Sequence, residues 1–396
     1  MTLGLEPIKI TYIVGSLATG GAENQLLELM RHLDRSRFAP SLVLFDNRTA
    51  KRAENLVEQI DCLLDYSADS PQSVAGKSAG AVWSLMGYLH RNSPDLLHAH
   101  LPQACMLASL SVALARKSVL IGSRRSLTNA YRSSPILGYS DRLATRMCDY
   151  MVCNSEAVAH EVVNMDGVPP ARVGVIYNGV DTERFRPGDR SLRQQYGWGA
   201  EHIVFGMVAN FIPYKRHIDF VRAAELIAAR EPRARFVMAG EDRGTLAGAL
   251  EQVGRAGLNE KVRVIAGTAH PEHIFPALDV YLCTSETEGF SNVLLEASAC
   301  GVPIVATRAG GNEEIVNEGE TGFLVAIHDP AALAERALSL THDAQLRWRL
   351  GLQARRRTEE KFALPRMIQS HEHLYIRALR KESLVDFDPS IADVYV

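Results

Sequence analysis

Short, nearly continuous apolar runs alternate with helical patterns along almost the whole chain, and this alternation restricts the fold more than any other feature. KITYIVG (Lys9–Gly15), SLVLF (Ser41–Phe45), LLHAH (Leu96–His100), VLIGS (Val119–Ser123), YMVCNS (Tyr150–Ser155) and VGVIYNG (Val173–Gly179) read as strands. A strand without polar alternation is covered on both faces, so parallel sheets between layers of helices are expected. The pattern breaks at GVDTERFRPGDRSLRQQYGWGAEH (Gly179–His202), rich in Gly, Arg and Asp, and restarts with IVFGMVA, RFVMAG, VRVIAG, DVYLCTS and PIVATR. The reading is an α/β protein of two doubly wound parallel-sheet domains, 1–185 and 186–366, with the break as linker and a central cleft between them. A length of 396 residues, too long for one core, agrees with two domains.

Composition adds exclusions. With 46% hydrophobic and 22% charged residues the chain has the balance of an ordinary globular enzyme, and a net charge of −3 gives no case for a nucleic-acid partner. One segment departs from this balance. Between Arg116 and Arg146 there are seven basic residues and one acid, Asp141, a net of +6, with Leu127, Tyr131, Ile136, Leu137 and Tyr139 interleaved. It reads either as a solvated face with internal ion pairs or as a peripheral contact with anionic lipid headgroups. The six cysteines are scattered, with no CxxC pair and no His/Cys cluster at zinc spacing, so no metal is expected and reduced thiols suit a cytoplasmic setting. The N-terminal residues lack a signal-peptide pattern, and the longest apolar run, Ala104–Ala115, is too short to span a bilayer and reads as a buried helix.

Residues with chemistry gather where strands end, the side of an α/β sheet that binds ligands. GSLATGGAENQ (Gly15–Gln25) is a glycine turn entering a helix, where Gly20 and Gly21 serve either a phosphate or merely a tight turn. His98 and His100 point to one face of a strand, and the position at its end favours function for His100. Lys215, in ANFIPYKRH, stands near a helix start, where a cation opposes the helix dipole unless an anion is bound beside it. SETEGFSNVLLEASACGVP (Ser285–Pro303) is a turn followed by a helix whose first N–H groups, from Phe290, Ser291 and Asn292, form an anion site. Glu288 lies ahead of that helix start and Glu296 on its second turn. A polyhydroxy ligand with a central diphosphate fits such a pair of carboxylates; a surface turn and a salt bridge are the plain alternative. Gly310 and Gly311, opening another helix, read as mainly structural.

These motifs, together with VCNSEAV, VIYNGVDTERFRP and ETGFLV, resemble the retaining GT-B glycosyltransferases of family 4 over nearly the whole chain. The resemblance implies the GT-B fold and transfer of a hexose-type sugar from a nucleotide-diphosphate sugar, with retained configuration and no metal or other cofactor. It assigns donor hydroxyls to Glu288, the ribose to Glu296, donor contacts to Gly289, Phe290, Ser291 and Asn292, and the diphosphate to Lys215. It places Gly21 near the phosphates, the base near Ile265, and His100 beside the reacting sugar, so that His100, Lys215 and Glu288 form the catalytic set. Many members carry an arginine where this chain has Asn210, which shifts leaving-group stabilisation towards Lys215 and the helix N-terminus. The implied acceptor is a hydroxyl of a glycan or a polyprenyl-linked glycan at the inner face of a membrane. The helix 367–381 is expected to cross back to the first domain. A nucleotide-sugar 2-epimerase of the same architecture is the competing enzyme, and a catalytically idle binding protein the competing non-enzyme.

Overall fold

The computed structural model describes residues 6–17, 20–57, 60–64, 74–115, 118–127, 134–267, 270–385 and 387. The chain divides into two compact units, Met1–Asn178 with Pro365–Val396, and Gly179–Leu364.

The first unit holds seven strands: β1 (Ile8–Val14), β2 (Phe38–Asp46), β3 (Ile60–Leu64), β4 (Leu96–His100), β5 (Val119–Arg124), β6 (Tyr150–Cys153) and β7 (Val173–Val175). All pair in parallel, in the order β3-β2-β1-β4-β5-β6-β7. The crossovers are α1 (Gly21–His32), α2 (Val74–Asn92), α3 (Pro102–Ala115), α4 (Pro135–Met147) and α5 (Glu156–Asn164), the last started by Ser155, whose Oγ accepts from Val158 N at 3.1 Å. Every residue of β4 is buried, as its unbroken apolar pattern requires.

The second unit holds β8 (Ile203–Val208), β9 (Ala234–Gly240), β10 (Val262–Ala266), β11 (Val280–Cys283), β12 (Ile304–Thr307) and β13 (Gly322–Val325). They too are parallel, ordered β10-β9-β8-β11-β12-β13. Its helices are α6 (Ser191–Gln195), α7 (His217–Arg230), α8 (Leu246–Arg255), α9 (Asn292–Ala299), α10 (Asn312–Ile315), α11 (Pro330–Thr341) and α12 (Ala344–Lys361). Asp329 and Asp343 cap α11 and α12 by accepting from Ala332 N and Leu346 N, both at 2.8 Å. In each sheet the chain reverses its winding once, between β1 and β4 and between β8 and β11, and such a reversal opens a crevice at the strand ends.

A final helix, α13 (Leu364–Leu379), brings Tyr375 into the first unit, where its hydroxyl lies 3.1 Å from Tyr12 Oη and 2.8 Å from His98 Nδ1.

Two expectations change here. The Gly/Arg/Asp-rich break is no loose linker and belongs to the second unit from Gly179 onward. Val180 pairs with the 362–364 backbone, and Phe185 packs edge-on against Phe275. Arg193 of α6 is buried and donates to Asp279 Oδ2 at 2.6 Å and to Ala277 O at 2.7 Å. Composition misleads at this point because a buried ion pair and a solvated linker use the same residues. The run Ala104–Ala115 is a helix, but only one side is covered, since Leu110 and Leu114 face solvent. Among the described residues no helix is long and apolar enough to cross a membrane. Arg116, Lys117, Tyr131 and Arg132 of the basic segment, and Ala18 and Thr19 of the glycine turn, lie outside the described residues.

Asp279 Oδ2 also accepts from Val204 N at 2.8 Å, so this one carboxylate ties α6 to the start of β8. Asp279→Ala leaves a buried guanidinium without its anion and is expected to cost about 3 kcal/mol of stability. Urea unfolding of the variant measures this, and a loss within experimental error of zero would show the pair to be dispensable.

Candidate active site

In the second unit Lys215 and Glu288, both singled out in the sequence, meet past the ends of β8 and β11, where the winding reverses. Past β8 the chain forms a single 3-10 turn, Pro213–Lys215, and then Arg216, whose φ of 57° is left-handed and uncommon for a residue with a Cβ. Thr284, just past β11, holds that turn by donating to the carbonyls of Lys215 (2.8 Å) and Arg216 (3.1 Å), and Glu286 N donates to Tyr214 O at 2.8 Å. The result is a fixed position for Lys215, whose Nζ lies 2.5 Å from Glu288 Oε1 with both side chains largely buried. Burial pushes the Lys215 ammonium down, but the Glu288 carboxylate outweighs it and the net shift is upward, so the lysine is charged. The resemblance gave this lysine the donor diphosphate as its anion. In the structure it is Glu288.

The Glu288 turn is itself pinned. Gly311 N donates to Glu288 O at 3.3 Å, and a Cβ on Gly311 would stand 2.1 Å from Gly289 O. The role of Gly311 is therefore to let α10 pack against the Glu288–Phe290 backbone. Phe290 is buried edge-on against Phe362, and Ser291 is the N-cap of α9. No side chain caps the helix, and the buried Ser291 Oγ has no partner among the described residues. The first turn of α9, starting at Asn292, thus keeps N–H groups that no intrahelical carbonyl satisfies.

Glu296 lies on the second turn of α9, where its carbonyl accepts from Cys300 N at 3.1 Å, and its carboxylate has no hydrogen-bond or ion-pair partner among the described residues. Burial raises its pKa to about 8, against the pull of Arg184, with Glu272 raising it further. Arg184 donates to Glu272 Oε2 at 2.8 Å. Arg184 was quoted in a motif but given no part in the site, because only the fold places it near Glu296. Asn210, where an arginine is commoner, uses Oδ1 to accept from Glu241 N at 3.2 Å, leaving its amide nitrogen as the available donor. Ile265 lies half-buried in β10, the edge strand of the sheet. No metal site was expected from spacing, yet ligand atoms of His270, Glu272 and His273 all lie within 4.8 Å of one another. Glu272 is already engaged there by Arg184 and by His270 at 3.2 Å.

In the first unit, the rings of His98 and His100 lie with centroids 4.2 Å apart, tilted by 41°. His98 is fully buried and satisfied, by Tyr375 Oη and by Ser123 Oγ at 2.8 Å each. His100 is also buried, but neither ring nitrogen has a hydrogen-bond partner among the described residues. Burial, then Arg125 and His371, hold its pKa well below the usual value, so it is a neutral imidazole. The strand position favoured function for His100 over His98; in the structure the two differ in that His98 has hydrogen-bond partners on both ring nitrogens. Arg125 was not singled out. Burial lowers its pKa to about 10, and Glu23 is the carboxylate opposing that shift. Gly21 opens α1 after the N-cap Gly20, where a Cβ would stand 2.1 Å from the Glu23 carboxylate. The chain's own anion therefore lies against the turn where a phosphate was considered.

The Glu296 shift has a measurable sign. The unfolded chain releases this proton near 4.5 and the folded chain near 8, so the folded state loses stability as pH rises between those values and no further above them. Glu296→Gln is expected to melt progressively higher than the parent across that window. A difference in melting temperature that does not vary with pH would overturn the assignment.

The chain was compared with known proteins. The model for Glycosyltransferase Family 4 matches residues 19–184, and that for glycosyl transferases group 1 matches residues 189–357. The chain is 27% identical over 300 residues to N-acetyl-alpha-D-glucosaminyl L-malate synthase of Bacillus anthracis, covering 74% of this chain and 77% of the relative. It is 32% identical over 267 residues to D-inositol 3-phosphate glycosyltransferase 2 of Catenulispora acidiphila, covering 62% of each. Among solved structures, Anabaena HepE in complex with UDP and glucose superposes with a TM-score of 0.82 at 23% identity, over 93% of this chain and 99% of that one. Sucrose-phosphate synthase from Thermosynechococcus elongatus gives 0.81 at 18% identity, over 94% and 99%. With two parallel-sheet units of this order and the two family models adjoining along the sequence, the chain belongs to the family 4 glycosyltransferases and has their GT-B fold.

Proposed function

We propose that this glycosyltransferase moves a hexose-type sugar from a nucleotide-diphosphate sugar to a hydroxyl of a glycan or polyprenyl-linked glycan. The reaction keeps the anomeric configuration and uses no metal, and it serves the synthesis of a cell-surface polysaccharide or glycoconjugate. The observation that supports this most directly is the Lys215–Glu288 pair ahead of the α9 N-terminus, with Glu296 on the second turn of that helix. As the glycosidic bond stretches, negative charge grows on the diphosphate. Lys215 and the N–H groups from Gly289 to Asn292 supply the opposing charge that a metal supplies elsewhere. Glu288 accepts from hydroxyls of the donor hexose while staying beside Lys215. Glu296 accepts from the ribose hydroxyls, which favours its ionised form, so binding expels its proton. UDP and glucose in the HepE complex make a uridine-diphosphate hexose the first donor to try.

In the first unit the same reading gives His100, neutral and unpartnered, to the acceptor's chemistry. The departing phosphate takes up the acceptor proton, so no carboxylate nucleophile is required. The acceptor side works as a peripheral protein at the inner face of a membrane, through the 116–146 segment.

Mass spectrometry of products from a donor panel is the decisive assay. Lys215→Ala is expected to lower transfer by about a hundredfold or more, with melting temperature checked alongside because the change also leaves Glu288 unpaired. Transfer unchanged in the Lys215→Ala, Glu288→Ala double variant would dismiss the site. A covalent sugar adduct on a carboxylate would dismiss the front-face mechanism. Clean epimerisation of the donor without any acceptor would favour the 2-epimerase reading instead.

A further inference from the structure

The stretch HPEH places His270 and His273 three residues apart, with Glu272 between them. In a 3-10 turn, with three residues per turn, side chains at i and i+3 stand one above the other. Pro271–His273 is such a turn, closed by His273 N donating to His270 O at 3.2 Å. It aligns the two imidazoles, whose ring centroids lie 5.8 Å apart and tilted by 43°. Glu272 joins them, with Oε1 3.2 Å from His270 Nδ1. One ligand atom from each of these three side chains lies within 4.8 Å of the other two. Among the described residues no other three His, Cys, Asp or Glu side chains are gathered in this way.

The turn is held from behind. Ile274, Phe275, Pro276 and Ala277, directly after it, are buried, and Phe275 packs edge-on against Phe185. Arg184 lies over the Phe185 ring, 5.1 Å from its centroid, and donates to Glu272 Oε2 at 2.8 Å. That bond occupies one carboxylate oxygen and leaves the other, Oε1, to the imidazole side. Burial pushes the Glu272 pKa up, but hydrogen bonds from Arg184, its own backbone and His270 outweigh burial, so the carboxylate is ionised. The side chain of His270 is 71% exposed and His273 is exposed as well, so solvent reaches the cluster.

The donor set selects the ligand. Two imidazoles and one carboxylate suit zinc and its late first-row neighbours, whereas magnesium and calcium take oxygen ligands. Tetrahedral bonds of about 2.0–2.2 Å bring ligand atoms to about 3.4 Å from one another, and rotation of the two exposed imidazoles is the movement this requires. We propose that His270, Glu272 and His273 form a binding site for a divalent ion of the zinc class. The ion replaces the hydrogen bond between His270 and Glu272, and the proton of that imidazole moves to the ring nitrogen left free. Three protein ligands leave a fourth position to water. The ion has no part in the transfer step, and none of its ligands is assigned to the donor.

The test is calorimetric titration of the full chain, free of a histidine tag and stripped with a chelator, with zinc chloride. One ion per chain is expected to bind and to raise the melting temperature, while magnesium chloride at the same concentration does neither. The His270→Ala, His273→Ala double variant is expected to bind zinc at least about a hundredfold more weakly. Its metal-free melting temperature stays unchanged because both imidazoles are exposed, and its metal-free sugar transfer equals the parent's. No zinc binding by the parent, undiminished affinity in the double variant, or an equal response to magnesium would each overturn the proposal. Zinc binding by a chain that transfers no sugar would sink the donor reading and leave this site standing; sugar transfer by a chain that binds no zinc would do the reverse.

Discussion

A lysine ammonium and a glutamate carboxylate 2.5 Å apart, largely shielded from water, keep that distance only if the backbone on both sides is fixed. The second unit supplies this frame at the reversal between β8 and β11. Thr284 secures the left-handed turn that carries Lys215, and the close approach of Gly311 to Gly289 secures the turn that carries Glu288. The pair neutralises itself, so neither group is left as a bare buried charge.

The first unit meets a similar problem with neutral groups. His98, His100 and His371 are all buried, with Arg125 nearby, and burial keeps their pKa values low; for His371 the value is about 4. Hydroxyls from Tyr375 and Ser123 satisfy His98, and a backbone carbonyl satisfies one nitrogen of His371. Among the described residues His371 Nε2 and both nitrogens of His100 have no hydrogen-bond partner, and His100 is held in place by packing on its neighbours.

Much of this was legible in the sequence. The strands show as unbroken apolar runs because both faces are covered, and the winding reversals place Lys215, Glu288 and His100 at strand ends. What stayed hidden was whatever depends on distant partners. Arg193 looked like linker chemistry until Asp279 appeared beside it, and Arg184 gained meaning only from its closeness to Glu296. The helix α3 looked fully buried because all its sides are apolar, and a periodicity that does not exist cannot reveal which side is open.

One feature of the chain path bears on how the molecule is made. The first unit closes its buried hydroxyl–imidazole network with Tyr375, which lies beyond the whole of the second unit in sequence. The second unit is contiguous from Gly179 to Leu364. During synthesis the earlier sheet therefore waits, with His98 Nδ1 lacking its Tyr375 partner, while the later one can already fold. The unit translated first is the last to be completed, and a ribosome that stalls anywhere before residue 375 leaves it open at the base of its own candidate catalytic strand.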